Sequence, residues 1–395
     1  MTNEVLQKIA SDEQNISSSN GLEPKLRFKE FDGKWSRNIL GNCCDIIMGQ
    51  SPDSSSYNNN CIGLPLVQGN ADMCERIATP QRYTSQPTKT CEAGSIILSV
   101  RAPVGTVGKT FQKICLGRGV CGITSKNIEF MYQYLLNNEN SWRHIEQGGT
   151  FTAINSDDIK SFPIILPSLP EQKKIADFLS LIDQRIEKQR QLVENLKKYK
   201  RGYFQRIISS LETSSYELKN IVDEYNAKSK IQNELPILSS TLSGIKLQND
   251  YFNKQAASET TIGYKIVPFG YFTYRSMSDT GEFRFNLQNI IEKGIVSPAY
   301  PVFKVKEEYN AEFVEYILNE TDKIKSQLLV KKEGGTRYAL SFSKFQTLKI
   351  DLPTKSVQDK MVSQLRYANK ILTNEEGVLS NLQKLKNGLL QQMFI

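Results

Sequence analysis

At 395 residues the chain is long enough for two or three domains with cores of their own. Its 39% hydrophobic and 23% charged content is that of a globular protein, and with no run of about 18 apolar residues no helical membrane span is expected. A single histidine, His144, and seven cysteines without a C-x-x-C pair leave little for metal binding, a disulfide framework or histidine-based catalysis, while the net charge of +8 is compatible with a nucleic-acid partner.

Residues 1–24 form a polar, net acidic tail without the basic-then-apolar layout of a signal peptide, so the expected compartment is the cytoplasm. Residues 25–165 form a first globular region of short strands and turns. Within it "GSIILSVRAPVGTVGKTF", Gly94 to Phe111, reads as a strand running into a hairpin. It is not a phosphate-binding loop, because Pro103 stands where that motif needs glycine. The polar stretch "SPDSSSYNNN", Ser51 to Asn60, reads as a disordered turn. "FMYQYLLNNENSWRHI", Phe130 to Ile145, reads as helix, and the cysteines as reduced, mostly packed thiols.

A boundary follows at "LPSLPEQKKIADFL", Leu166 to Leu179. A residue before proline is pushed out of the α region, which ends the extended segment. Ser168 then stands as N-cap and Glu171 completes a capping box, so a long helix starts here. Ile175, Leu179, Ile182, Ile186, Gln189, Val193, Leu196, Lys200, Tyr203 and Ile207 recur at alternating steps of four and three, a heptad seam. Residues 166–212 are therefore a central helical region.

Residues 213–350 repeat the layout. Strands and turns in "YKIVPFGYFTYRSMSDTGEFRFN", Tyr264 to Asn286, are followed by helix-like "AEFVEYILNETDKIKSQLL", Ala311 to Leu329. Sliding the chain by 186 positions lays Gly148-Gly149-Thr150 on Gly334-Gly335-Thr336, Leu166-Pro167 on Leu352-Pro353 and Gln172 on Gln358. In the C-terminal helical region, residues 351–395, the seam becomes Met361, Leu365, Ala368, Leu372, Glu375, Leu379, Leu382, Lys386, Leu389 and Met393. Its polar breaks Glu375 and Lys386 match Gln189 and Lys200. Val357 replaces the capping Glu171, so this second start should be weaker. The expected fold is α+β: two mixed α/β domains separated by two long helices packed as an antiparallel coiled coil, a pseudo-two-fold tandem duplication.

Catalytic motifs are missing: there is no [ND]-P-P-[YF], no G-x-S-x-G and no H-E-x-x-H. Binding is expected rather than reaction. "EPKLRFKEFDGKW" from Glu23, "GGTFTAINSDDIKSFPIILPSLPEQKKIADFLSLIDQRIEKQ" from Gly148 and "LQKLKNGLLQQMF" from Leu382 resemble the specificity (S, HsdS) subunits of type I restriction-modification systems. The likeness covers nearly the whole chain from about Pro24.

The resemblance implies two target-recognition domains, each reading one half of a bipartite duplex DNA site. It also implies long helices that dock two modification (methyltransferase) subunits, with restriction subunits joining for cleavage. The chain would be non-catalytic and bind no cofactor itself, S-adenosylmethionine, ATP and Mg2+ being used by the partner subunits. Arg101 in "SVRAP" and Arg275 in "TYRSM" occupy equivalent places by this reading, and arginine suits the O6/N7 edge of guanine. Arg82, Tyr83, Lys109, Lys246, Gln248, Asn253, Lys254, Tyr274 and Arg284 are further candidates for base or phosphate contacts. Two readings from other classes compete: a coiled-coil scaffold that assembles enzyme subunits without reading DNA, and a self-sufficient nuclease or methyltransferase. Divergent globular regions beside near-matching helices favour the DNA reader.

Overall fold

The computed structural model describes residues 22–146, 153–248, 260–331 and 337–395. The chain divides into two compact units: residues up to Gln191 together with Gly377–Ile395, and Leu192–Glu376. Among the described residues no helix is long and apolar enough to cross a membrane.

Unit 1 opens with β1 (Ser36–Ile39) and β2 (Cys44–Met48). The strands β3 (Tyr57–Asn58), β4 (Leu64–Val67), β5 (Met73–Cys74), β6 (Ile77–Ala78), β7 (Tyr83–Thr84) and β8 (Thr90–Cys91) follow. Next come β9 (Ile96–Ser99), β10 (Val107–Lys109), β11 (Ile114–Leu116) and β12 (Val120–Ser125). They build a six-stranded sheet in the order β2-β12-β9-β10-β6-β5 and a five-stranded sheet in the order β3-β7-β4-β11-β8. Every residue of β9 is buried, which is why its sequence is a continuous apolar run rather than an alternating one. The expected hairpin is present, with Leu98 opposite Val107 and Ile96 opposite Lys109.

After the sheets come α1 (Ile128–Asn137), α2 (Glu139–Glu146), α3 (Ser156–Lys160), β13 (Pro163–Leu166) and α4 (Leu169–Ser210). The single helix expected near Phe130 is thus two. Asn138 ends the first, its side-chain amide donating to the Tyr134 carbonyl at 2.9 Å. β13 pairs antiparallel with β1, Ser36 opposite Leu166.

Unit 2 contains β14 (Ser214–Glu217), β15 (Val222–Glu224), β16 (Leu238–Thr241), β17 (Gly244–Leu247), β18 (Lys265–Pro268) and β19 (Phe272–Thr273). It continues with β20 (Met277–Ser278), β21 (Asn286–Leu287), β22 (Lys293–Val296), β23 (Val302–Val305), α5 (Ala311–Glu320) and α6 (Asp322–Lys331). It closes with β24 (Tyr338–Ala339), α7 (Phe342–Gln346), β25 (Lys349–Leu352) and α8 (Lys355–Met393). Among the described residues of unit 2, the four-stranded sheet β15-β23-β19-β21 is accompanied by four two-stranded ribbons. β14 pairs with β25 as β1 does with β13, Ser214 lying opposite Leu352.

The long helices start at matched positions, Leu169 and Lys355, so the second start is not shortened. Its expected weakness rested on Glu171 as a capping residue, and that role is not the one observed. Glu171 is 1% exposed and takes a bidentate ion pair from Arg27, Nε to Oε1 and Nη2 to Oε2, both 2.8 Å. What both starts share is the matched glutamine. Gln172 donates to the Pro167 carbonyl at 3.0 Å and Gln358 to that of Pro353 at 2.8 Å. A reciprocal capping box does exist one element earlier, where Asn155 accepts from the Asp158 N–H and Asp158 from the Asn155 N–H. At the matching place in unit 2, Ser341 caps Lys344, which cannot return the bond.

The apolar positions of the expected seam differ in burial. Ile175, Leu179, Ile186, Val193, Met361, Leu365 and Met393 are buried, and Ile182, Leu196, Leu372, Leu379, Leu382 and Leu389 are half-buried. Near the end of α4 the seam is displaced by one residue: Phe204 is buried and Tyr203 exposed. The reason is the core of unit 2, which takes Phe204, Ile207 and Ile208 against Met361, Val362 and Leu365. At the same offset, Leu390, Met393 and Phe394 enter the core of unit 1 beside Trp35, Phe130 and Leu179. Each such aromatic contributes roughly 1.5–3 kcal/mol on burial.

Candidate nucleic-acid interface

In unit 2 a cleft of about 840 Å³ is lined by Ser239, Ser240, Thr241, Gln248, Arg275 and Arg284, among others. Three of the residues singled out from sequence therefore converge on one concavity. The turn closing β16 and β17, with Thr241 opposite Gly244, supplies its hydroxyl-rich wall. Those hydroxyls went unnoticed in the sequence because only the ribbon brings them together.

Arg275 is exposed and, among the described residues, has no ion-pair partner. It is held in place by its neighbour. Tyr274 is fully buried against Phe285 and Phe345, with its hydroxyl donating to the Leu340 carbonyl at 3.2 Å. Burial pushes the Tyr274 phenol well above its ordinary pKa, so it stays neutral. Tyr274 is thus a core residue and not a DNA contact, and the exposed Arg275 is what it positions.

Gln248 presents a different chemistry: its Oε1 is buried and, among the described residues, has no hydrogen-bond partner. Arg284 is tied to Glu320 at 2.9 Å and Lys246 lies exposed on β17. Asn253 and Lys254 lie outside the described residues.

In unit 1 Arg82 is exposed, its carbonyl accepting from the Leu66 N–H at 2.9 Å. Tyr83 lies on β7 between Asn58 and Pro65, with its hydroxyl bonded to Cys61, which raises its pKa. Lys109, named above as a candidate for base or phosphate contacts, is engaged within the chain. Its ammonium binds Glu129 and sits 4.1 Å from the Tyr132 ring centroid, and its side chain is 14% exposed. A cation so satisfied has little left for phosphate.

The stretch Ser51–Asn60 is ordered, not a disordered turn. Asp53 caps a helical turn over Ser54–Ser56, Ser56 meets the Thr84 hydroxyl at 2.8 Å, and Tyr57 pairs with Thr84 across the ladder. The buried thiols Cys44 and Cys91 have pKa values pushed up by burial to about 12 and about 11, which makes them packing groups.

Arg101 is exposed and bridges to Ala153, with the Ile154 N–H bonded to the Val100 carbonyl at 2.9 Å. In unit 2 the Leu340 N–H bonds the Ser276 carbonyl at 2.9 Å, and Ala339 faces Met277. Matched partners therefore put Arg101 level with Met277, two residues beyond Arg275. Aligning the two arginines by motif missed this because hydrogen-bond register, not residue identity, fixes equivalence between strands.

Residues 33–198 match the family model described as type I restriction modification DNA specificity domain. The "Putative type I restriction enzyme MjaX specificity subunit" of Methanocaldococcus jannaschii is 38% identical over 201 residues, covering 49% of this chain and 46% of that protein. The MjaIX specificity subunit of the same organism is 30% identical over 129 residues, 30% of each chain. The chain thus spans at most about half the length of the curated relatives it matches. The crystal structure of a type I restriction-modification S subunit from M. genitalium has the same fold, with a TM-score of 0.58 over 95% of this chain and 99% of that one, at 15% identity. Over residues 33–198 the chain is therefore similar to the DNA specificity domain of type I restriction-modification systems, and over about half its length to the specificity subunits of M. jannaschii.

Proposed function

We propose that the chain is the non-catalytic DNA-recognition subunit of a type I restriction-modification complex, each globular unit reading one half of a bipartite duplex site. The observation that carries this reading is the pairing of exposed arginines without an ion-pair partner among the described residues, on sheet-rich units, with helices whose polar contacts repeat at one offset. Lys386 binds Asp183 within unit 1 and Lys200 binds Asn369 within unit 2, and an offset of 186 positions lays Lys200 on Lys386 and Asp183 on Asn369. Such matched contacts support α4 and α8 as an antiparallel coiled coil in a duplicated chain. A 42-residue helix is about 63 Å long, enough to serve as a spacer between readers.

Two methyltransferase subunits would dock on the same helices. In support, a second line of exposed apolar residues repeats at that offset: Leu181 and Tyr367, Leu192 and Val378, Tyr199 and Leu385. In this assembly the partner subunits use S-adenosylmethionine, ATP and Mg2+, restriction subunits join for cleavage, and the compartment is the cytoplasm.

The test is methylome sequencing of a host expressing the full chain with its methyltransferase partner, against the partner alone. The expected result is N6-methyladenine at one bipartite, asymmetric sequence only when this chain is present. Methylation independent of this chain would refute the reading.

A further inference from the structure

Arg118 was passed over in the sequence, yet it occupies an exposed corner of unit 1 whose backbone is closely packed. It is the first corner of the turn Gly117–Val120, closed by the Val120 N–H to the Gly117 carbonyl at 3.2 Å. The glycines on either side are buried while Arg118 is exposed. A Cβ on Gly117 would lie 2.9 Å from the Gln68 Cα, and one on Gly119 would lie 2.1 Å from the Gln68 carbonyl oxygen. A third backbone closes in from the other side, since a Cβ on Gly49 would meet the Gly117 carbonyl oxygen at 2.0 Å. The Arg118 N–H is itself bonded to the Ser51 hydroxyl at 3.2 Å. The corner is therefore wedged between backbones, and only the side chain is free to reach outward.

A second cation stands beside it. Ser99 and Val120 end the registered β9–β12 ladder, and the Val100 N–H then donates to the Gly119 carbonyl at 2.9 Å. Arg101 and Arg118 each lie one residue from this contact. Among the described residues neither guanidinium has a carboxylate partner, whereas a buried or paired arginine would be held by one. Arg76 and Lys109, also in unit 1, are by contrast bound to Glu139 and Glu129. An acceptor-rich ligand would relieve what the chain leaves uncompensated.

We propose that Arg118 is a specificity-determining residue of unit 1, reading a guanine in the major groove through O6 and N7, with Arg101 as the adjacent cation. The proposal rests on the DNA-recognition reading above. A fixed backbone with a planar two-donor fork suits the guanine edge, because bidentate geometry tolerates little displacement. A contact to phosphate alone would need charge but no such fixed corner.

The experiment is methylome sequencing of a host expressing the methyltransferase partner with the wild-type chain, R118K or R118Q. R118K keeps the charge and, being exposed, should melt as the wild type does. The expected result for both variants is a loss of about tenfold or more in discrimination at one guanine of one half-site, with the other half-site unchanged. An unchanged motif, or uniform weakening that leaves every position as selective as before, overturns the assignment. If the wild-type chain directs no sequence-specific methylation, the DNA-recognition reading itself fails, and this inference with it.

Discussion

Lys386 donates its ammonium to the carboxylate of Asp183, whose second oxygen accepts from the Gln133 amide at 2.7 Å. Burial lowers the Lys386 pKa, an effect that Asp183 opposes. The matched pair in unit 2 is softer, with Lys200 donating to the neutral Asn369 at 2.9 Å in an exposed position. Asp183→Ala strands a largely buried ammonium and a buried amide, and should cost about 2 kcal/mol. Lys200→Ala should cost less than about 1 kcal/mol. Chemical denaturation of the two variants side by side checks the ordering, and equal losses would contradict it.

The role of Glu171 separates two mechanisms with one substitution. A capping box accepts glutamine as well as glutamate, so a capping role predicts that Glu171→Gln is tolerated. The buried ion pair with Arg27 predicts a loss of about 3 kcal/mol, because an arginine satisfied on every side loses its charge partner. Val357→Glu, at the matched place, should gain nothing comparable. Thermal unfolding of both variants decides.

Glu315 accepts from the Leu287 N–H at 3.0 Å, and burial raises its pKa. A carboxyl with a raised folded-state pKa contributes stability that is fully present below its unfolded pKa and is lost as pH rises through the folded value. Glu315→Gln keeps the acceptor and removes the charge. Its melting temperature should therefore exceed that of the wild type at neutral pH, with the advantage disappearing as the pH falls below the ordinary glutamate range. A pH series of melting curves tests the sign.

Gly202 and Gly388 sit at matched positions inside the long helices, and a Cβ at either would meet nothing within 4 Å. Neither has an internal packing reason to be glycine. Alanine at each should stabilise the chain by about 0.5–1 kcal/mol through helix propensity alone. If the proposed methyltransferase docking on these helices is right, a loss of association in the same variants, read by gel filtration of the mixed subunits, would identify a close approach by that partner.

Much of this protein was legible in its sequence, because the signals there are periodic. The 3.5-residue spacing from Ile175 to Ile207 and its copy from Met361 to Met393 specified two long helices, and an apolar stripe has few ways to be buried. The hairpin between Leu98 and Val107 was equally plain, since Pro103 ruled out the competing loop. Tertiary structure decided what those side chains do. Arg27 reaches Glu171 across 144 residues and turns an apparent cap into an ion pair, and a core of aromatic rings takes Tyr274 away from the surface. Register, not motif, sets Arg101 level with Met277, and only the crossing of three backbones singles out Arg118. Local spacing encodes secondary structure through repeating geometry, whereas charge pairing, strand register and close backbone approach depend on residues far apart in sequence, and so become visible only in the folded chain.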